Sequence, residues 1–186
     1  NILFQVRLPR ILLGALTGAA LSVSGAIFQS LLRNDLAAPF TLGVSSGAAL
    51  GAVIAIALNL NFSILGFSIT SLFSFSGSLG AIFLVFSLVR TRHGEFSTAV
   101  LLLAGVTANF FFASLVMFIH YMADFRQSFT IIRWLMGGLN ITDYNTILTL
   151  FPVVLLGISV LIFFSRDMNL ISTGIHSASS RGVNVW

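Results

Sequence analysis

The sequence predicts an all-α protein, a polytopic membrane helix bundle of about five transmembrane helices with two short helices outside the hydrocarbon. Two observations carry that expectation. Of 186 residues, 57% are hydrophobic and only 8% charged, where a soluble domain has about 25% charged. The nine arginines and five acidic residues also fall in a few clusters, leaving charge-free intervals at 11–32, 36–89, 96–123 and 144–165.

Crossing the hydrocarbon core takes roughly 20 apolar residues in a helix. The first, third and fourth intervals therefore hold one span each. The second must turn once, and Asn59-Leu60-Asn61 is its best polar break. The expected spans are 11–32, 43–59, 63–89, 97–121 and 146–165. None alternates apolar and polar residues as a barrel strand would. The 63–89 stretch exceeds one crossing, so it tilts or projects. Between Asp124 and Asp143, residues 127–139 around Trp134-Leu135-Met136 are too short to span and read as an interfacial or re-entrant helix.

Five spans put the ends on opposite faces, with Arg33, Arg90, Arg92, Arg166 and Arg181 on one side and Arg7, Arg10, Arg126 and Arg133 on the other. That distribution does not orient the chain by the positive-inside rule. The opening Asn1, with no signal-peptide pattern after it, reads as part of a longer polypeptide.

Gly43, Gly47 and Gly51 recur every fourth residue, and Gly14 and Gly18 do the same in the first span. Helices in lipid approach through small residues, so helix packing is the first reading of both ladders, with substrate contact the alternative. Arg33-Asn34-Asp35 is a polar turn, solvated or docking, in which Asn34 or Asp35 is placed to cap a helix and Pro39 to open one. Polar side chains inside the spans include Thr17, Gln29, Thr107 and Asn109, none of them ionisable. Proton-coupled and ion-coupled carriers usually need an ionisable group there. His120 and Asp124, four apart at a span's end, read as an interfacial pair.

Several chemistries are excluded or unsupported. No cysteine is present, which removes disulfides, thiolate metal sites and cysteine nucleophiles. No lysine is present, so the chain has no standard phosphate-binding loop for ATP. The net charge of +4 comes from scattered arginines, not a basic patch, and suggests no nucleic-acid role. No catalytic residue, metal site or cofactor is expected.

The motifs "RLPR" at 7–10 and "GAALSVSGAIFQSLLRNDLAAPFTLGVSSGAALGA" at 18–52 resemble the permease family of bacterial ABC importers for ferric siderophores, haem and cobalamin. "LLLAGV" at 101–106, "WLMGGL" at 134–139 and "MNLISTGIHSASSRGVNV" at 168–185 follow in the family's order. The resemblance implies a multi-pass subunit of the bacterial inner membrane, with ten spans in all, of which this chain holds the second to sixth. It also implies a second permease subunit, two cytoplasmic ABC ATPase subunits and an extracytoplasmic substrate-binding protein as partners.

By the same resemblance, residues 1–165 form the partial transmembrane bundle and 166–186 the cytoplasmic coupling segment. Arg7 and Arg10 face outward and dock the binding protein. A helix over about Ser172–Arg181, with Gly174, Ile175, Ala178 and Gly182, meets the ATPase. Ser172 or Thr173 suits its start and Gly182 its end. One departure is that Ile175 and His176 stand where relatives usually carry an acidic residue.

A non-transporting membrane scaffold fits the composition and glycine ladders equally well. The 168–185 segment separates the two readings, since a scaffold has no use for a polar lever. Ferric siderophore is the expected cargo, with haem and cobalamin behind it.

Overall fold

The computed structural model describes residues 3–35, 37–64, 66–90, 98–139 and 144–172. Its elements are a π-turn Leu3–Arg7, α1 Leu8–Leu32, a 3-10 turn Pro39–Leu42, α2 Val44–Ala57, β1 Ser63–Ile64, β2 Phe67–Ser68, α3 Ile69–Arg90, α4 Thr98–Met122, α5 Phe125–Met136, α6 Tyr144–Phe163 and α7 Ser165–Ser172. Among the described residues four helical stretches, Leu3–Leu32, Ile69–Val89, Thr98–Met122 and Tyr144–Phe163, are long and apolar enough to cross a membrane.

The fifth expected span, 43–59, is the 14-residue α2. At 1.5 Å per residue it is about 21 Å long, short of the roughly 30 Å hydrocarbon core. It begins one residue from the expected start, where Gly43 at φ +80° follows a 3-10 turn opened by Pro39, and it ends two residues early at Ala57. Arg33 ends α1 in the left-handed region at φ +48°. The Gln29 side-chain amide donates to the Asp35 carbonyl across that turn at 3.0 Å.

Asn59, at φ +55°, terminates α2 at the expected break. The amides of Leu58, Asn59 and Leu60 turn back onto the carbonyls of Ile54, Ile56 and Ala55. The next span begins later than 63, because 63–68 fold as an antiparallel hairpin with Gly66 at φ +84°. Ser68 Oγ then caps α3 by accepting the Ser71 amide at 3.2 Å.

The chain forms two compact units. In the first, residues 1–38 and 139–186, α1 packs on α6 and α7. The Tyr144 hydroxyl donates to the Phe4 carbonyl. No residue of α6 is buried, as suits helices solvated by lipid or by further helices. Pro152 removes one amide from the α6 ladder, which membrane helices tolerate.

In the second unit, residues 39–138, α2 lies against α3, α4 and α5, and Gly47, Gly51, Ala52, Val53 and Ala55 are buried. Small side chains supply most of this core, so backbones meet directly.

Candidate functional site: the helix-packing seam, the interfacial helix and the docking residues

The closest packing is between α2 and α3. A Cβ on Gly47 would stand 2.6 Å from both Ala81 Cβ and the Gly77 carbonyl oxygen, and one on Gly51 would strike the Phe73 carbonyl. Gly77 faces the Gly47 carbonyl in return. Gly43 belongs to a different contact: its missing side chain faces Ala108, with Gly105 and Asn109 of α4 beside it. The ladder is therefore divided between two partner helices. Gly14 lies near Leu139, where a Cβ would be 3.6 Å from its Cδ1, whereas Gly18 has nothing within 4 Å among the described residues.

The start of α2 is held by α4. Asn109 Nδ2 donates to the Phe40 carbonyl at 3.2 Å, and Asn109 Oδ1 accepts the Ser46 hydroxyl at 2.7 Å. Gly105 meets the Thr41 backbone so closely that a Cβ would lie 2.8 Å from Leu42 Cα. The interrupted backbone at 39–43 is thus braced by one polar side chain and one glycine, which lets non-helical backbone exist beside apolar helices. Thr17 and Thr107 are satisfied within their own helices, by the Leu13 and Leu103 carbonyls, each at 2.9 Å.

An apolar cleft of about 360 Å³ opens between α2 and α3, lined by Leu50, Ile54, Phe73, Leu84 and Phe112 among others. It offers no charged group to a ligand.

The interfacial helix starts at Phe125, two residues before the expected 127, and stops at Met136. Asp124 is its N-cap: its carboxylate accepts the Gln127 amide, while Gln127 Oε1 accepts the Asp124 amide at 3.2 Å. This reciprocal capping occupies Asp124, which the sequence suggested would pair with His120. Among the described residues, His120 Nε2 is instead buried without a hydrogen-bond partner. Gly137, at φ +70°, ends the helix.

Arg7 and Arg10 are exposed, three residues apart across consecutive helical turns at the beginning of the first long helix. They lie within that helix rather than ahead of it, separated by the buried Pro9. Of the C-terminal segment, α7 covers Ser165–Ser172. Gly174, Ile175, Ala178 and Gly182 lie outside the described residues. Among the described residues no group of three or more His, Cys, Asp or Glu is placed to hold a metal.

Gly77, Gly105 and Gln127 were not singled out by the sequence. The signal for Gln127 was present, since Asp124-Phe125-Arg126-Gln127 is a capping-box pattern. Gly105 sits singly in its span and Gly77 stands three residues from Gly80, so neither belongs to a four-residue ladder.

Comparison with known proteins gives one consistent picture. The chain is 37% identical over 185 residues to the ABC transporter permease protein YvrB of Bacillus subtilis, covering 100% of this chain and 52% of that protein. It is 38% identical over 180 residues to the cobalamin import system permease protein BtuC of Halobacterium salinarum, covering 97% and 47%. It is 37% identical over 187 residues to the molybdate import system permease protein MolB of Haemophilus influenzae, covering 100% and 53%.

A solved structure described as an inward-facing conformation of a metal-chelate type ABC transporter matches with a TM-score of 0.83 at 33% identity, over 99% of this chain and 57% of that one. The chain therefore spans about half the length of the relatives it matches. Its long apolar helices and these likenesses make it a multi-pass inner-membrane protein. The model of the FecCD transport family matches residues 1–186, and the chain belongs to that family.

Proposed function

We propose that this chain is part of the transmembrane permease subunit of an ABC importer that carries a metal chelate inward, driven by ATPase subunits that bind the nucleotide. The observation that carries the reading is the likeness to the metal-chelate transporter, at TM-score 0.83 over 99% of the chain. Identity of 33% along that match extends the argument beyond fold alone. Within this class ferric siderophore is the first candidate, supported by a permease of an iron chelatin transport system in Helicobacter pylori, 34% identical over 184 residues. Haem and cobalamin follow, and the molybdate relative widens the range beyond what the sequence suggested.

The partners in this reading are two cytoplasmic ATPase subunits, a second permease subunit and an extracytoplasmic binding protein. Arg7 and Arg10 are the proposed docking residues for the binding protein, since both are exposed cations at a helix end. Charges at an interface rim act mainly on association rate and its salt dependence.

With both changed to Glu in the intact permease, assembled with its ATPase in nanodiscs, binding-protein association should slow and lose its dependence on ionic strength. Stimulation of ATP hydrolysis by the binding protein should fall in parallel. Unchanged association kinetics in a correctly folded variant would remove these residues from the docking site. Absence of any stimulation in the wild-type assembly would count against the importer reading itself.

A further inference from the structure

We propose that Gln127 is a positioning residue that latches the interfacial helix α5 to the end of α2. The last carbonyls of a helix lack intrahelical partners, and α2 shows where each goes. Those of Ile54, Ala55 and Ile56 accept the returning amides of Leu58, Leu60 and Asn59. The remaining one, on Ala57, accepts Gln127 Nε2 at 3.0 Å in a partly buried contact. The other end of the same amide caps α5, where Oε1 receives the Asp124 amide at 3.2 Å. One side chain thus completes two helix termini 70 residues apart in sequence.

The geometry gives the latch something to hold. The α5 helix leaves α4 through an extended residue, Asp124 at ψ 161°, and ends in two positive-φ glycines, Gly137 and Gly138. Both ends are therefore pivots. Between them the side touching α2 is narrow: Ile131 is fully buried, and Gln127 and Ser128 are half-buried. Phe125, Phe129, Ile132 and Met136, spaced four, three and four apart, form an exposed apolar stripe, with Arg126 and Arg133 on the adjoining face. A small rotation of α5 redirects that stripe, and the Gln127–Ala57 bond opposes the rotation. The inference is independent of cargo and of the importer reading.

Hydrogen exchange of the intact protein in nanodiscs separates the latch from simple capping. Gln127→Glu keeps the acceptor that the capping box needs but cannot donate to Ala57 at neutral pH, whereas Gln127→Ala loses both. The latch predicts that both variants speed exchange across 125–136 by about tenfold or more, with 101–112 of α4 unchanged. Wild-type exchange in Gln127→Glu would overturn the proposal, since capping alone would then suffice. Should that variant fail to assemble, Gln127→Ala decides by reach. Faster exchange as far as Met136 supports the latch, and any change confined to 125–128 contradicts it.

Discussion

Replacing Gly51 with alanine in the intact protein is expected to lower its melting temperature in detergent sharply, and replacing it with leucine to prevent assembly. The added Cβ would strike the Phe73 carbonyl, which is backbone and cannot rotate away. Relief requires α2 and α3 to separate, and Gly47 and Gly77 then lose their close approach as well. Overpacking a core costs about 1–3 kcal/mol and occasionally more; a backbone obstacle puts this change at the upper end. Lipid offers no compensation, because helix association there depends on packing itself.

Gly80→Ala on α3 is the control. Among the described residues nothing lies within 4 Å of its added Cβ, and alanine gains up to about 1 kcal/mol of helix propensity over glycine. Fluorescence-detected melting should show a large loss for Gly51→Ala and none for Gly80→Ala. Equal shifts would mean that the seam between α2 and α3 does not hold the unit together.

The second large effect is expected from Ile175→Asp. In the proposed importer, ATP-driven closure must reach the bundle through a segment that moves as a body. Ile175 and Ala178, three apart in a polar stretch, would give a helix there its small apolar face. A carboxylate at 175 should remove that face without touching the outer surface. Uptake should fall to background, while ATP hydrolysis continues and the binding protein still associates. Uptake at the wild-type rate would reduce the segment to a connector.

Much of the architecture was legible because a membrane restricts where charge can stand. The charge-free intervals located the four long helices among the described residues, and Asn59 marked the end of α2 because asparagine tolerates the left-handed conformation found there. Hydropathy could not reveal that the second apolar segment is short. Residues 39–43 are as apolar as a span, and their departure from helix depends on Pro39, Gly43 and the brace from Asn109, which lies 69 residues from Phe40 in sequence. The hairpin at 63–68 was hidden in the same way, since its turn rests on Gly66 and its helix start on Ser68.

The glycine spacing marked a packing face but not its partners. The step from Gly43 to Gly47 crosses from a contact with α4 to one with α3, and only tertiary structure divides them. The His120–Asp124 pair is not formed among the described residues, where Asp124 instead takes part in the α5 capping box.

The proposed ATP-driven inward transport of a metal chelate is tested most directly by uptake into sealed proteoliposomes. These would contain the intact permease and its ATPase, with ATP inside and the cognate binding protein loaded with labelled ferric siderophore outside. The account predicts accumulation that requires both hydrolysable ATP and the binding protein. If ATP is hydrolysed in response to the loaded binding protein while neither ferric siderophore, haem, cobalamin nor molybdate accumulates, the transport reading is contradicted.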